Sequence, residues 1–183
     1  MRIIAGKHRG TRLASLGKGD PAAHLRPTTD RVRESLFNVL NAYVDWDGCR
    51  VLHLFAGSGT LGLEALSRGA TFCAFVENGR AGQRLIAENI AKLRAEEATK
   101  LLRNDATRLG PATLDPFDLI FLDPPYGRDF GPRTLTNLLA QGWLSQDALI
   151  CLEDNTPVPA PDGFDLQDQR SYGSTNISLM TIS

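Results

Sequence analysis

The chain has 183 residues, 42% hydrophobic and 22% charged, enough for one domain with a substantial core. No apolar run is long enough to span a bilayer, and Arg2 stands before only two apolar residues, so a membrane enzyme and a secretory leader are both unexpected and a cytoplasmic location is expected. The net charge of −1 hides an asymmetry, eight basic against two acidic residues in 1–33 and twelve against nineteen in the remainder, which predicts a basic arm facing nucleic acid on an acidic body.

Residues 2–5 and 11–14 flank a Gly-containing turn and predict a short hairpin, with Lys7-His8-Arg9-Gly10 free to reach phosphates. Residues 15–25 are rich in Gly, Ala and Pro, with Asp20-Pro21 marking a turn, and predict a flexible loop. Residues 1–29 are therefore expected to form a basic extension, and residues 30–183 the main domain. From Asp30 onward, Val32, Leu36, Val39, Leu40, Tyr43 and Val44 share one helical face, with Thr29 or Asp30 as N-cap and Trp46-Asp47-Gly48 as the break.

Arg50 to Phe55 reads as a buried strand running into Ala56-Gly57-Ser58-Gly59-Thr60-Leu61-Gly62, and a helix over 60–68 ends at Gly69. Residues 71–76 predict a second strand closed by Glu77, and a helix over 80–94 turns Leu85, Ile86, Asn89, Ile90 and Leu93 inward. Leu101-Leu102 begins a weak third strand, followed by Asp105. A loop over 106–116 leads into a fourth strand that ends at Asp123. A helix over 132–141 carries Leu135, Leu138 and Leu139, and 148–152 is a fifth strand. Residues 155–163, with three prolines, cross to an antiparallel pair over 166–172 and 176–182, joined at Gly173-Ser174. Strand and helix alternate and a hairpin closes the chain, which predicts an α/β doubly wound sheet, mostly parallel with an antiparallel edge. Cys49, Cys73 and Cys151 lack metal-ligand spacing and read as reduced core thiols, so no metal centre is expected.

The fourth strand carries the most specific chemistry. Asp123-Pro124-Pro125-Tyr126 follows the apolar run Leu119 to Leu122, and neither proline can donate a ladder hydrogen bond, so the sheet must stop there. A carboxylate, proline carbonyls and an aromatic ring are presented together at the carboxyl end of a buried strand, where open α/β sheets bind ligands. An exocyclic amine on a nucleobase is a poor nucleophile, because its lone pair is delocalised into the ring. Asp123 and the carbonyl of Pro124 can accept its two N–H bonds and draw it toward a tetrahedral geometry, while Tyr126 offers a face on which the base stacks.

Gly57-x-Gly59-x-x-Gly62 has dinucleotide-binding spacing, so an NAD or NADP oxidoreductase is a rival reading. The same loop can cradle the methionine part of S-adenosylmethionine. Glu77 can hold ribose hydroxyls in either case, and Asp105 can meet an adenine amino group. Asp123 to Tyr126 favours methyl transfer, since hydride transfer has no evident use for that motif. His53, entering the loop, reads more readily as a hydrogen-bonded core histidine than as a base or ligand.

Taken together, these residues resemble the RsmD-like family of 16S rRNA guanine-N2 methyltransferases over nearly the whole chain. The resemblance rests on Arg2 to Gly10, on Leu25-Arg26-Pro27-Thr28-Thr29-Asp30-Arg31-Val32-Arg33-Glu34, on Leu54 to Gly59 with Leu63 to Ala70, on Asp123 to Tyr126 and on Arg170 to Gly173. It implies a class I methyltransferase domain with a small N-terminal extension, acting as a monomer on a guanine of small-subunit rRNA during ribosome assembly. It implies S-adenosylmethionine held by position 53, Phe55, Ala56, Gly57, Ser58, Gly59, Glu77, Asp105 and Ala106, with Arg26 and Thr28 helping to close the site. Asp123, Pro124, Pro125 and Tyr126 would hold the guanine, and Lys7, His8, Arg9, Arg12 and Arg31 would meet RNA. The family usually has aspartate where this chain has His53. The lost charge is expected to weaken cofactor binding, more so at pH 6 than at pH 8, where the imidazole is neutral. An adenine-N6 DNA methyltransferase and an RNA-binding module without activity are the alternatives.

Overall fold

The computed structural model describes residues 1–15, 29–126 and 129–183. Five parallel strands form where the buried apolar runs predict them: β1 (Arg50–Leu54), β2 (Phe72–Val76), β3 (Thr99–Leu102), β4 (Phe117–Leu122) and β5 (Leu144–Asp154). β6 (Phe164–Tyr172) and β7 (Thr175–Ile182) add the antiparallel edge. The sheet order is β3-β2-β1-β4-β5-β7-β6. β3 and β5 each begin earlier than their apolar runs, at Thr99 and Leu144, because ladder bonds extend past the residues that need burial.

Among the described residues, four α-helices cover the sheet: α1 (Asp30–Leu40), α2 (Thr60–Arg68), α3 (Arg80–Leu93) and α4 (Phe130–Ala140). Val51, Cys73, Phe75, Leu119 and Phe121 face α1, α2 and α3. Leu52, Leu54, Ala74, Ile120 and Leu122 face α4 through Leu135 and Leu138. Both faces are covered, which is why these strands are continuously apolar rather than alternating. The three cysteines are free and buried.

Two helical faces differ from expectation. Thr29 caps α1 by accepting from the Val32 N–H at 3.3 Å, but the buried face is Arg33, Leu36, Phe37 and Leu40. The helix ends at Leu40, so Tyr43 leaves the helical face and is 46% exposed. On α4, Leu139 points outward at 38% exposure.

The predicted N-terminal hairpin contracts to a single antiparallel bridge between Arg2 and Arg12. Beside that bridge the Ile3 N–H donates to the Thr11 carbonyl at 3.0 Å and the Leu13 N–H to the Met1 carbonyl at 3.2 Å, while the N–H groups of Ile4, Ala5, Lys7 and His8 turn to α2. The fully buried carboxylate of Glu64 accepts from the Ile4 and Ala5 N–H groups at 2.8 and 3.0 Å and from Arg68 Nε at 2.9 Å. The Lys7 N–H donates to the Ser67 carbonyl at 2.8 Å and the His8 N–H to Ser67 Oγ at 3.0 Å. Gly6, at φ +78°, makes this seat possible: a Cβ there would lie 1.7 Å from the Ser67 carbonyl oxygen. Ile3 and Leu13 are buried in the core that α1, α2 and α3 share.

Candidate active site

β1 and β4 are sequence-distant neighbours in the sheet, so the order reverses between them and a crevice opens at their carboxyl ends. Leu54 pairs with Leu122, which brings the loop after β1 and the motif beginning at Asp123 out side by side. Phe55 starts that loop at φ +53°, a left-handed conformation uncommon for a residue with a side chain. Its ring stacks on Phe130 at the start of α4, with centroids 6.3 Å apart.

The loop is held from two sides. Glu77, buried at the end of β2, accepts from the Gly57 N–H at 2.8 Å through Oε2 and from the Gly79 N–H at 2.7 Å through Oε1. Asn89 of α3 donates to the Ser58 carbonyl at 3.0 Å. Gly82 lets α3 approach, since a Cβ there would lie 2.8 Å from Glu77 Cγ and 2.9 Å from the Gly57 carbonyl oxygen. Each Glu77 oxygen has two acceptor sites, so the carboxylate that shapes the loop can also take a hydroxyl hydrogen bond. Asp105, one strand further along, is exposed and accepts from the Thr107 N–H at 2.9 Å and Thr107 Oγ1 at 2.7 Å. These bonds hold its carboxyl below the ordinary range, and Ala106 beside it is buried. A glycine loop, a buried carboxylate and an exposed carboxylate at three successive strand ends fit an ammonium-bearing tail, a ribose and an adenine.

The motif after β4 forms a second cluster. Asp123 is half-buried, Pro124 buried, Pro125 exposed and Tyr126 half-buried. Leu122 pairs with Leu152, so Asp123 emerges beside Glu153, which is buried with Asp154 at the end of β5. Burial, followed by the charges of Glu153 and Asp154, raises the Asp123 carboxyl well above its usual range. The Tyr126 hydroxyl donates to Glu153 Oε1 at 3.2 Å, and burial, followed by the charges of Glu153 and Asp123, pushes it up to about 12.

His53 belongs to the core behind the loop. Its Nδ1 accepts from the Gly62 N–H of α2 at 3.3 Å, and its ring lies between Phe75 and Phe121 at 6.0 and 5.8 Å. Burial lowers it to about 3, so it is neutral at both pH 6 and pH 8. The expected pH-dependent repulsion of the cofactor runs against this placement, because enclosure by aromatic rings disfavours the protonated imidazole.

Lys7, Arg9, Arg12 and Arg31 are exposed, and His8 is half-buried and lowered by burial and by Lys7. Arg26, Pro27, Thr28 and most of the loop expected over 15–25 lie outside the described residues. Among the described residues no group of histidine, cysteine and acidic side chains could hold a metal, and no helix is long and apolar enough to cross a membrane.

Glu153 was legible but unread. An acid closes or soon follows β2, β3 and β4, and the same rule applied to Leu152-Glu153-Asp154 finds the fourth instance. The approach of Gly82 to Gly57, the bonds of Glu64 to Ile4 and Ala5, and those of Asn89 to Ala14 and Ser58 had no local signal, because these partners lie more than 20 residues away.

Three comparisons bear on this geometry. The ribosomal RNA small subunit methyltransferase D of Escherichia coli K12 is 40% identical over 182 residues, covering 98% of this chain and 88% of that one. The solved structure of yhhF from Escherichia coli matches with a TM-score of 0.83 at 35% identity, covering 100% of this chain and 97% of that one. The magnesium protoporphyrin IX methyltransferase of Synechocystis, solved with bound SAM, shares the class I fold alone, with a TM-score of 0.65 at 14% identity over 84% of this chain and 79% of that one. The model of the family described as Conserved hypothetical protein 95 matches residues 1–181, and the chain belongs to that family, the RsmD-like group.

Proposed function

We propose that this protein is an S-adenosylmethionine-dependent methyltransferase that modifies the exocyclic N2 amine of a guanine in small-subunit rRNA, acting as a cytoplasmic monomer on rRNA or on the assembling subunit. The observation that carries the reading is the emergence of two clusters side by side, the Glu77-braced glycine loop after β1 and Asp123 to Tyr126 after β4. The kinship to rRNA methyltransferases supports it.

Bound S-adenosylmethionine supplies a methyl group on a sulfonium, which is already an electrophile. Glu77, the loop from Phe55 to Gly59, and Asp105 with Ala106 bind and orient it. Tyr126 stacks on the guanine, with its hydroxyl tied to Glu153 so that the ring keeps one orientation. Asp123 and the Pro124 carbonyl accept the two amine N–H bonds and aim the nitrogen lone pair along the crevice. After transfer, the surplus proton on nitrogen passes to Asp123, whose raised affinity for protons suits that task. Most of the acceleration comes from holding two reactants in line. The exposed cations of the N-terminal arm and Arg31 meet phosphates.

The test is incubation with methyl-labelled S-adenosylmethionine and small subunits, naked small-subunit rRNA or duplex DNA, followed by nucleoside analysis. N2-methylguanosine in rRNA is expected from the wild type, and none from Asp123→Ala. Methyl transfer to adenine N6 in DNA, or to no nucleic acid at all, overturns the proposal.

A further inference from the structure

We propose that Asn89 is a positioning residue that links the basic N-terminal arm to the cofactor loop, so that RNA on the arm and S-adenosylmethionine in the loop strengthen each other's binding. This rests on the function proposed above and adds a regulation of the same site.

Asn89 is fully buried on α3, and its amide is engaged at both ends. Oδ1 accepts from the Ala14 N–H at 2.6 Å, and Nδ2 donates to the Ala14 carbonyl at 3.2 Å. The side chain thus pairs with both backbone polar groups of one arm residue, as a neighbouring strand would. Nδ2 also donates to the Ser58 carbonyl at 3.0 Å, between Gly57 and Gly59. A primary amide has two N–H donors and an acceptor oxygen, and this single planar group commits both donors and the oxygen to the arm and the loop together. Enclosure makes each of these bonds costly to leave unmade.

Elsewhere the arm is anchored to α2 through Glu64 and Ser67 and to α1 through Asp30 and Arg33, and Met1 Sδ accepts from Thr60 Oγ1 at 3.1 Å; none of these contacts reaches a loop carbonyl. Arg12, two residues before Ala14, is exposed where a phosphate can reach it. A phosphate on the arm steadies Ala14. Ala14 fixes the plane of the Asn89 amide, and that plane sets where the Ser58 carbonyl stands. Ordering of one partner removes part of the ordering cost for the other, and linkage makes the effect reciprocal.

The test uses S-adenosylhomocysteine, which occupies the loop without turnover, and small ribosomal subunits as the RNA. Its Kd is measured with and without saturating subunits for the wild type, Asn89→Leu and Ala14→Pro. Ala14→Pro removes the N–H that binds Oδ1 without substituting Asn89 or any loop residue, so it serves even where Asn89→Leu fails to fold. Subunits are expected to lower the wild-type Kd about fivefold or more, and the ratio is expected to approach one in both variants. A wild-type ratio of one, or a wild-type ratio preserved in Ala14→Pro, overturns the coupling. Failure of the free wild-type protein to bind S-adenosylhomocysteine would instead sink the proposed function.

Discussion

Glu77→Gln is the most informative single change at the cofactor loop. It keeps the shape of the side chain and removes its charge and one of its two acceptors. Both carboxylate oxygens now accept from main-chain N–H groups, Gly57 at 2.8 Å and Gly79 at 2.7 Å. A glutamine gives its oxygen to one of them and turns an NH2 toward the other. A hydrogen bond to a charged group contributes about 1.5–3 kcal/mol, and a neutral one about 0.5–1.5 kcal/mol. Losing one charged bond and weakening the second therefore costs about 2–4 kcal/mol. For a chain of this length that is a fall in Tm of about 5–15 °C, at about 2–4 °C per kcal/mol. The ribose hydroxyls lose a charged acceptor as well, about 1–2 kcal/mol, or about 5–30-fold in Kd. Calorimetric titration with S-adenosylmethionine and differential scanning calorimetry read the two effects separately. A Kd within about twofold of wild type, together with an unchanged Tm, would refute the bracing role of Glu77.

Asp123→Asn should abolish methyl transfer at every pH. The Asp123 carboxyl is raised in the folded state, so the stability linked to it is present at low pH and lost as pH rises through its folded value. The variant should therefore be as stable as wild type or more so at pH 8, and a lower Tm there would contradict this. In the wild type, kcat/KM should fall on acidification at a pH above the ordinary carboxylate range, and Glu153→Gln should move that limb to lower pH. A limb that stays in place would exclude Glu153 as the source of the shift. Tyr126→Ala should be severe and Tyr126→Phe intermediate, since phenylalanine keeps the stacking face but loses the tie to Glu153; wild-type kinetics for Tyr126→Phe would remove any role for that bond. Cofactor affinity should show no His53-linked change between pH 6 and pH 8. Stability linked to His53 should decline as pH falls from 6.5 toward about 3, and His53→Asp should lower Tm without tightening cofactor binding, a result that tighter binding would reverse. Neutralising Lys7 and Arg9 should weaken RNA binding and flatten its salt dependence, and an unchanged slope would place the phosphate contacts elsewhere.

The His53 result shows how a residue's neighbours decide its chemistry. Position 53 sits one residue before the end of β1, on the face opposite Leu52 and Leu54. Strand alternation turns its ring toward α2, between Phe75 and Phe121, rather than into the crevice. The histidine supports the loop by accepting from Gly62, a hydrogen bond that needs no charge.

Local sequence determined much of this protein. Continuous apolar runs marked the parallel strands, because burial on both faces leaves no polar positions to alternate. Thr29, Gly69 and Gly173 marked the starts and stops of elements, because backbone geometry at caps and turns selects the residue on the spot. The glycine loop and Asp123 to Tyr126 were legible for the same reason, each being a contiguous stretch with its own chemistry. Tertiary structure alone decided what depends on pairing distant segments. Strand order put β4 beside both β1 and β5, and so put Asp123 beside the cofactor loop and Glu153 beside Asp123. The side of the strand on which His53 lies, the seat of Gly6 on Ser67 and the grip of Asn89 on both Ala14 and Ser58 were decided in the same way. A hydrogen bond or a charge interaction takes its strength from distances of a few ångströms in space, and separation along the chain carries no trace of it.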